Sequence, residues 1–119
     1  MPTSAAPLTP AVFHILLALA DGDRHGYDIM RETAAATAGQ IQMGPGTLYG
    51  SIKRMLQAGL IEEADERPDP ALDDTRRRYY RLSRAGRQAL EAELERLAQL
   101  LETGRRKNLL GGAPSGADR

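Results

Sequence analysis

Apolar positions along the chain follow helical spacing in four stretches and strand-like alternation in two short ones. Behind Thr9-Pro10, Val12, Ile15, Leu16 and Leu19 predict a first helix to about Ala20, with proline where a missing N–H is harmless. Asp21-Gly22-Asp23 breaks that pattern. A second helix, roughly His25 to Thr37, has a thin apolar face of Ile29, Met30, Thr33 and Ala34, with Gly39 as its stop. Gln40 to Met43 reads as a short extended piece, and Gly44-Pro45 opens a third helix to Gln57. Leu48, Ile52, Met55 and Leu56 share one side of that helix, leaving Thr47, Tyr49, Ser51, Lys53 and Arg54 away from it; Gly59 ends it.

Leu60 to Glu63 and Arg77 to Leu82 predict two strands, joined by a polar loop containing Pro68, Pro70, Asp73 and Asp74. That loop is too long for a two-residue turn, so the unit is a ribbon with an extended tip. Ser83 caps a fourth helix in which Leu90, Leu94, Leu97 and Leu101 are spaced four, three and four, the seam of a short coiled coil ending near Gly104. The predicted fold is mainly α with a small β-ribbon, a winged helix-turn-helix followed by a C-terminal dimerisation helix. Its divisions are a disordered tail at 1–8, the winged helix at 9–82, the dimerisation helix at 83–106 and a disordered tail at 107–119.

Sixteen acidic and sixteen basic residues cancel, which argues against adhesion to nucleic acid through bulk charge. The charges are nevertheless segregated. From Glu62 to Asp74 seven acids face only Arg67, whereas Arg76 to Arg87 holds six arginines and no acid. A segregated chain can offer a basic face to phosphate while its sum stays at zero. With no cysteine, a disulfide framework, a thiolate metal site and a thiol redox sensor are all excluded. Neither a signal-like N-terminus nor an apolar run of about 18 residues occurs, and the expectation is a cytoplasmic protein without membrane contact.

Several segments together resemble the PadR family of bacterial transcriptional regulators. His25-Gly26-Tyr27-Asp28-Ile29 is similar to the family's opening of the second helix, and Gly46-Thr47-Leu48-Tyr49 to its signature at the recognition helix. Gly59-Leu60-Ile61 and the run from Arg78 to Arg87 resemble its two strands and the start of its last helix. The resemblance spans roughly Leu8 to Leu101 and its length fits the branch with a single C-terminal helix. It implies a homodimer bound to a double-stranded DNA operator, with recognition helices in successive major grooves, acting most simply as a repressor. The leucine seam agrees, since alone it leaves an apolar stripe that asks for a partner.

On this reading Thr47, Tyr49, Ser51, Lys53 and Arg54 face DNA, the cations toward phosphates or guanine edges and the hydroxyls toward phosphate oxygens near free backbone N–H groups. Arg76, Arg77 and Arg78, at the base of the ribbon, either grip phosphate or the minor groove or pair with the acidic loop before them. Leu90, Leu94, Leu97 and Leu101 carry dimerisation. A second reading makes the winged helix a protein–protein interaction module whose acidic ribbon docks a basic partner.

Gly44, Gly46 and Gly50 do not form a phosphate loop, because no βαβ unit and no correctly spaced lysine surround them. His14 and His25 are too isolated for a metal site, and His25 suits capping of the second helix. No nucleophile and base or carboxylate pair is assembled, so neither an enzyme nor a cofactor is expected. The resemblance also implies an aromatic or drug-like effector at the dimer interface in some members. Here tryptophan is absent and phenylalanine occurs once, leaving a crevice of Phe13, Leu16 and the seam as the alternative to plain core.

Overall fold

A computed structural model describes residues 8–64 and 78–110 of the chain. Of the tails expected over 1–8 and 107–119, residues 1–7 and 111–119 lie outside the described residues, as does the ribbon tip over 65–77 with Arg76 and Arg77. The order is α1 (Pro10–Ala18), β1 (Arg24–His25), α2 (Gly26–Ala36), α3 (Pro45–Gln57), β2 (Ile61–Glu63), β3 (Tyr79–Leu82) and α4 (Arg84–Arg106). The strands form one antiparallel sheet in the order β1-β3-β2, with Ile61 opposite Leu82, Glu63 opposite Tyr80 and Arg24 opposite Tyr80 on the other side. Gln40 to Met43 makes no strand, and the extended piece expected there is instead an irregular connection held by Thr37, whose Oγ1 accepts the Ile41 N–H at 3.0 Å.

Local chemistry sets most of the helix ends. Thr9 Oγ1 accepts the Val12 N–H at 3.3 Å, His25 Nδ1 the Asp28 N–H at 3.1 Å, and Ser83 Oγ the Gly86 N–H at 3.0 Å. Gly39 and Gly59, both in the left-handed region, close α2 and α3. After Gly59, the Leu60 N–H returns to the Met55 carbonyl at 2.9 Å.

Helix α1 is apolar around most of its circumference and lies at the centre, touching α2, α3 and α4. It ends at Ala18, short of the expected Ala20, because Leu19 already turns out of the helix with its N–H on Ile15 and Leu16. Ile15, Leu16, Leu19, Ile29, Leu48, Ile52, Met55, Ile61, Tyr80 and Leu90 form one core. Leu8 packs against that core and so belongs to the folded body, not to the tail assigned at 1–8.

The two-residue β1 is the element that periodicity missed. It exists because Arg24 is gripped on three sides. Its Nε donates to the Ala18 carbonyl at 2.7 Å, Nη1 to Asp28 at 2.8 Å and Nη2 to Asp21 at 3.2 Å. The Asp28 hydrogen bond, more than any other contact, raises the pKa of Arg24 above its ordinary value. This cluster ties the end of α1 to the start of α2 and presents β1 to β3.

Candidate nucleic-acid interface

Helix α3 begins at Gly44-Pro45, and its N-terminus has no side-chain cap. The first-turn N–H groups of Gly46 and Thr47 therefore sit at the positive end of the helix dipole, and Thr47 is exposed beside them. Leu48, Ser51, Ile52 and Met55 are buried and fix the rotation of the helix. Lys53 and Arg54 consequently project outward. Among the described residues Arg24, Arg31, Arg78, Arg81 and Arg96 each face a carboxylate within 4.0 Å, whereas Lys53 and Arg54 pair with none.

Two residues expected on the outward face lie elsewhere. Ser51 is only 1% exposed, because it occupies the position one turn after Leu48 and one turn before Met55. Its polarity disguised a core-facing place in the spacing. Tyr49 is half-buried with its ring over Gly26, where an added Cβ would lie 2.6 Å from the phenolic oxygen. A side chain on residue 26 would have to displace the Tyr49 ring, so this glycine gives the ring its seat against α2.

At the ribbon, Arg78 Nη1 donates to Glu63 at 2.9 Å and Arg81 Nε to Glu62 at 3.3 Å. Arg78 thus pairs with a carboxylate on β2, while the acidic loop expected to face it lies outside the described residues. Between these strands Tyr80 is buried, and burial, reinforced by Glu63, pushes its phenol above the usual range.

The leucine seam divides in two. Leu90 is 3% exposed within the protomer and belongs to its own core, which removes it from the expected dimerisation set. Leu94, Leu97 and Leu101 are 40%, 36% and 46% exposed, and Leu100, which the heptad spacing left out, joins them at 55%. Helix α4 is roughly 34 Å long at 1.5 Å per residue, and only its first turns lie over α1 and β3. Gly86, Leu90 and Glu93 are buried there, and beyond Glu93 the apolar side chains stand exposed among the described residues. In the crevice suggested for an effector, Leu16 is wholly buried, whereas Phe13 is half-buried and meets the His14 ring edge-on at 5.2 Å. His25 caps α2, and among the described residues no group of three or more acidic or histidine side chains is placed to hold a metal. No described helix is long and apolar enough to cross a membrane.

This arrangement has counterparts in known proteins. The chain is 37% identical over 86 residues to an uncharacterized 37.1 kDa protein in transposon TN4556 of Streptomyces fradiae, a match covering 72% of this chain and 22% of that protein. It therefore spans about a fifth of the length of that curated relative. A PadR family transcription regulator from Clostridium difficile superposes with a TM-score of 0.65 at 22% identity, covering 82% of this chain and 97% of the other. Bacillus subtilis PadR, solved in complex with operator DNA, superposes with a TM-score of 0.59 at 23% identity, covering 70% and 46%. Both likenesses show the winged-helix fold. The model of the transcriptional regulator PadR-like family, a family of regulators and not of enzymes, matches residues 15–92, and the chain belongs to that family.

Proposed function

We propose that the chain is a sequence-specific DNA-binding transcriptional regulator, acting in the cytoplasm as a homodimeric repressor that occludes its operator. The observation that carries this reading is the outward face of α3, where Thr47 stands exposed in the first turn of an uncapped helix, Lys53 and Arg54 stand exposed toward its other end, and the two cations have no carboxylate partner among the described residues. Cations left without acidic neighbours are available to neutralise phosphates, and first-turn N–H groups suit phosphate oxygens. The operator complex of the B. subtilis neighbour supports the same use of the fold. Leu94, Leu97, Leu100 and Leu101 supply the apolar stripe through which two copies associate, and a two-fold pair of α3 helices reads half-sites about 34–36 Å apart. Tyr49 and Ser51 act from behind that surface, and Arg78, held by Glu63, is secondary to the helix; Arg76 stays a candidate phosphate contact.

The test is the salt dependence of binding to a duplex recovered by selection from genomic fragments. Lys53→Ala and Arg54→Ala should each weaken binding, and Lys53→Ala should flatten the slope of log affinity against log salt by about one. A double-alanine variant with the slope of the wild type would remove these residues from the interface.

A further inference from the structure

The buried Ser51 hydroxyl has a polar partner on an exposed residue of the same helix. Arg54 Nη2 donates to Ser51 Oγ at 3.3 Å, and an ideal Cβ on Gly50 would lie 3.6 Å from Arg54 Nη1. The guanidinium is therefore folded back along α3 toward its N-terminus, lying over the surface of Gly50 and Ser51. This is the direction in which long helical side chains naturally lean. Because Ser51 is 1% exposed and held by the core, its oxygen is a fixed point, whereas the guanidinium it holds belongs to an exposed residue. Lys53, its neighbour, has no such anchor among the described residues.

From this geometry we infer that Ser51 is a positioning residue that pre-orients Arg54 for bidentate recognition of a guanine in each half-site, with Lys53 restricted to phosphate. The inference rests on the DNA-binding reading above and deepens it by assigning the base-reading side chain. A guanidinium has five N–H donors in a rigid fork; one directed at Ser51 leaves enough for the paired O6 and N7 acceptors of guanine. An ammonium on a flexible stem has no matching fork and serves as a point charge. Holding the fork before DNA arrives lowers the ordering that binding would otherwise require, and the effect falls on specificity, because the charge at residue 54 is unchanged.

The experiment uses the full chain and a selected palindromic duplex, alongside duplexes in which each guanine in turn is replaced by 7-deazaguanine, which lacks the N7 acceptor. Wild type should lose affinity at one guanine per half-site, and Arg54→Ala should be indifferent to that replacement while losing roughly 5- to 100-fold in preference for the palindrome over a scrambled duplex. Ser51→Ala should lose about fivefold in the same preference with an unchanged salt slope, the share expected from orienting one long side chain. In the Arg54→Ala background, Ser51→Ala should have no further effect. A purely structural serine would weaken binding equally in both backgrounds, and that outcome overturns the inference, as does a Ser51→Ala protein with wild-type preference. Failure of the wild type to bind any duplex at low salt removes the DNA reading itself, a result distinct from either.

Discussion

Replacing Gly86 by alanine separates what helix propensity dictates from what packing dictates, because the two have opposite signs. Gly86 lies in the first turn of α4, and on propensity alone alanine should stabilise the helix by up to ~1 kcal/mol. In the folded chain an added Cβ would collide with the Leu60 carbonyl oxygen, approach its carbon to 3.0 Å and lie 3.4 Å from Leu16 Cδ2. The Leu60 carbonyl cannot yield cheaply. It accepts the Ser83 N–H at 3.1 Å, and Ser83 Oγ donates to the Gly59 carbonyl at 2.6 Å, so the junction of α3 with β2 is bound to the N-cap of α4. Relief requires displacing α4, which opens the contact that buries Leu90. Overpacking of this kind costs about 1–3 kcal/mol, and a backbone obstacle puts it at the upper end, leaving a net loss of about 2 kcal/mol after the propensity gain. At roughly 4–8 °C per kcal/mol for a domain of this size, Tm should fall by about 10 °C in melts at fixed protein concentration. Gly104→Ala is the control, since its Cβ would meet nothing within 4 Å and should leave stability equal or raised by up to ~1 kcal/mol. A Gly86→Ala protein as stable as the wild type would refute the packing account.

A charge placed on the exposed seam, as in Leu97→Glu, should split the proposed dimer into monomers in sedimentation equilibrium, and an unchanged dimer mass would place the association surface elsewhere. Glu93 accepts two bonds from Arg96, at 2.6 and 3.1 Å, and the Arg96 hydrogen bond, helped by the Leu8 N–H, holds its carboxyl below the ordinary range. A depressed carboxyl contributes stability that is present above the unfolded value of about 4.3 and lost as pH falls through the folded value. The stability gap between wild type and Glu93→Gln should therefore be open at neutral pH and close in acid; a gap independent of pH would dismiss the carboxylate. Ala38 sits at φ 53° after α2, a region that disfavours any side chain, and Ala38→Gly should raise stability by about 0.5–1 kcal/mol in urea titrations. A loss there would mean that the alanine is not strained.

The chain shows unevenly what could be read from its residues. Helix ends were legible where a cap or stop acts on its own neighbours, as at Thr9-Pro10, Gly44-Pro45, Gly59 and Ser83, because those signals work over three or four residues. The family motifs were legible too, although the reason for two of their glycines was not. Gly26 and Gly86 are required by Tyr49 and by the Leu60 carbonyl, neither of which adjoins them in sequence. Strand β1 escaped notice because two residues have no periodicity, and its partners on β3 come from a distant part of the chain. The Arg24 cluster had a local trace in Asp21 and Asp28, three and four residues away, but only the meeting of α1 and α2 added the Ala18 carbonyl.

Sequence by itself determined the order of the four helices and of the two ribbon strands, the apolar side of each helix and the exposed cations of α3, since all of these follow from spacing along one chain. Tertiary structure alone decided which polar residues are drawn inward and where an apolar stripe stops being core. Ser51 shares the spacing of Leu48, Ile52 and Met55 and was hidden by its hydroxyl, while Leu90 shares the spacing of Leu94 and Leu97 yet faces a different neighbour. Periodicity reports a direction around a helix axis; what waits in that direction depends on the other helices, and α1 covers α4 only along its first turns.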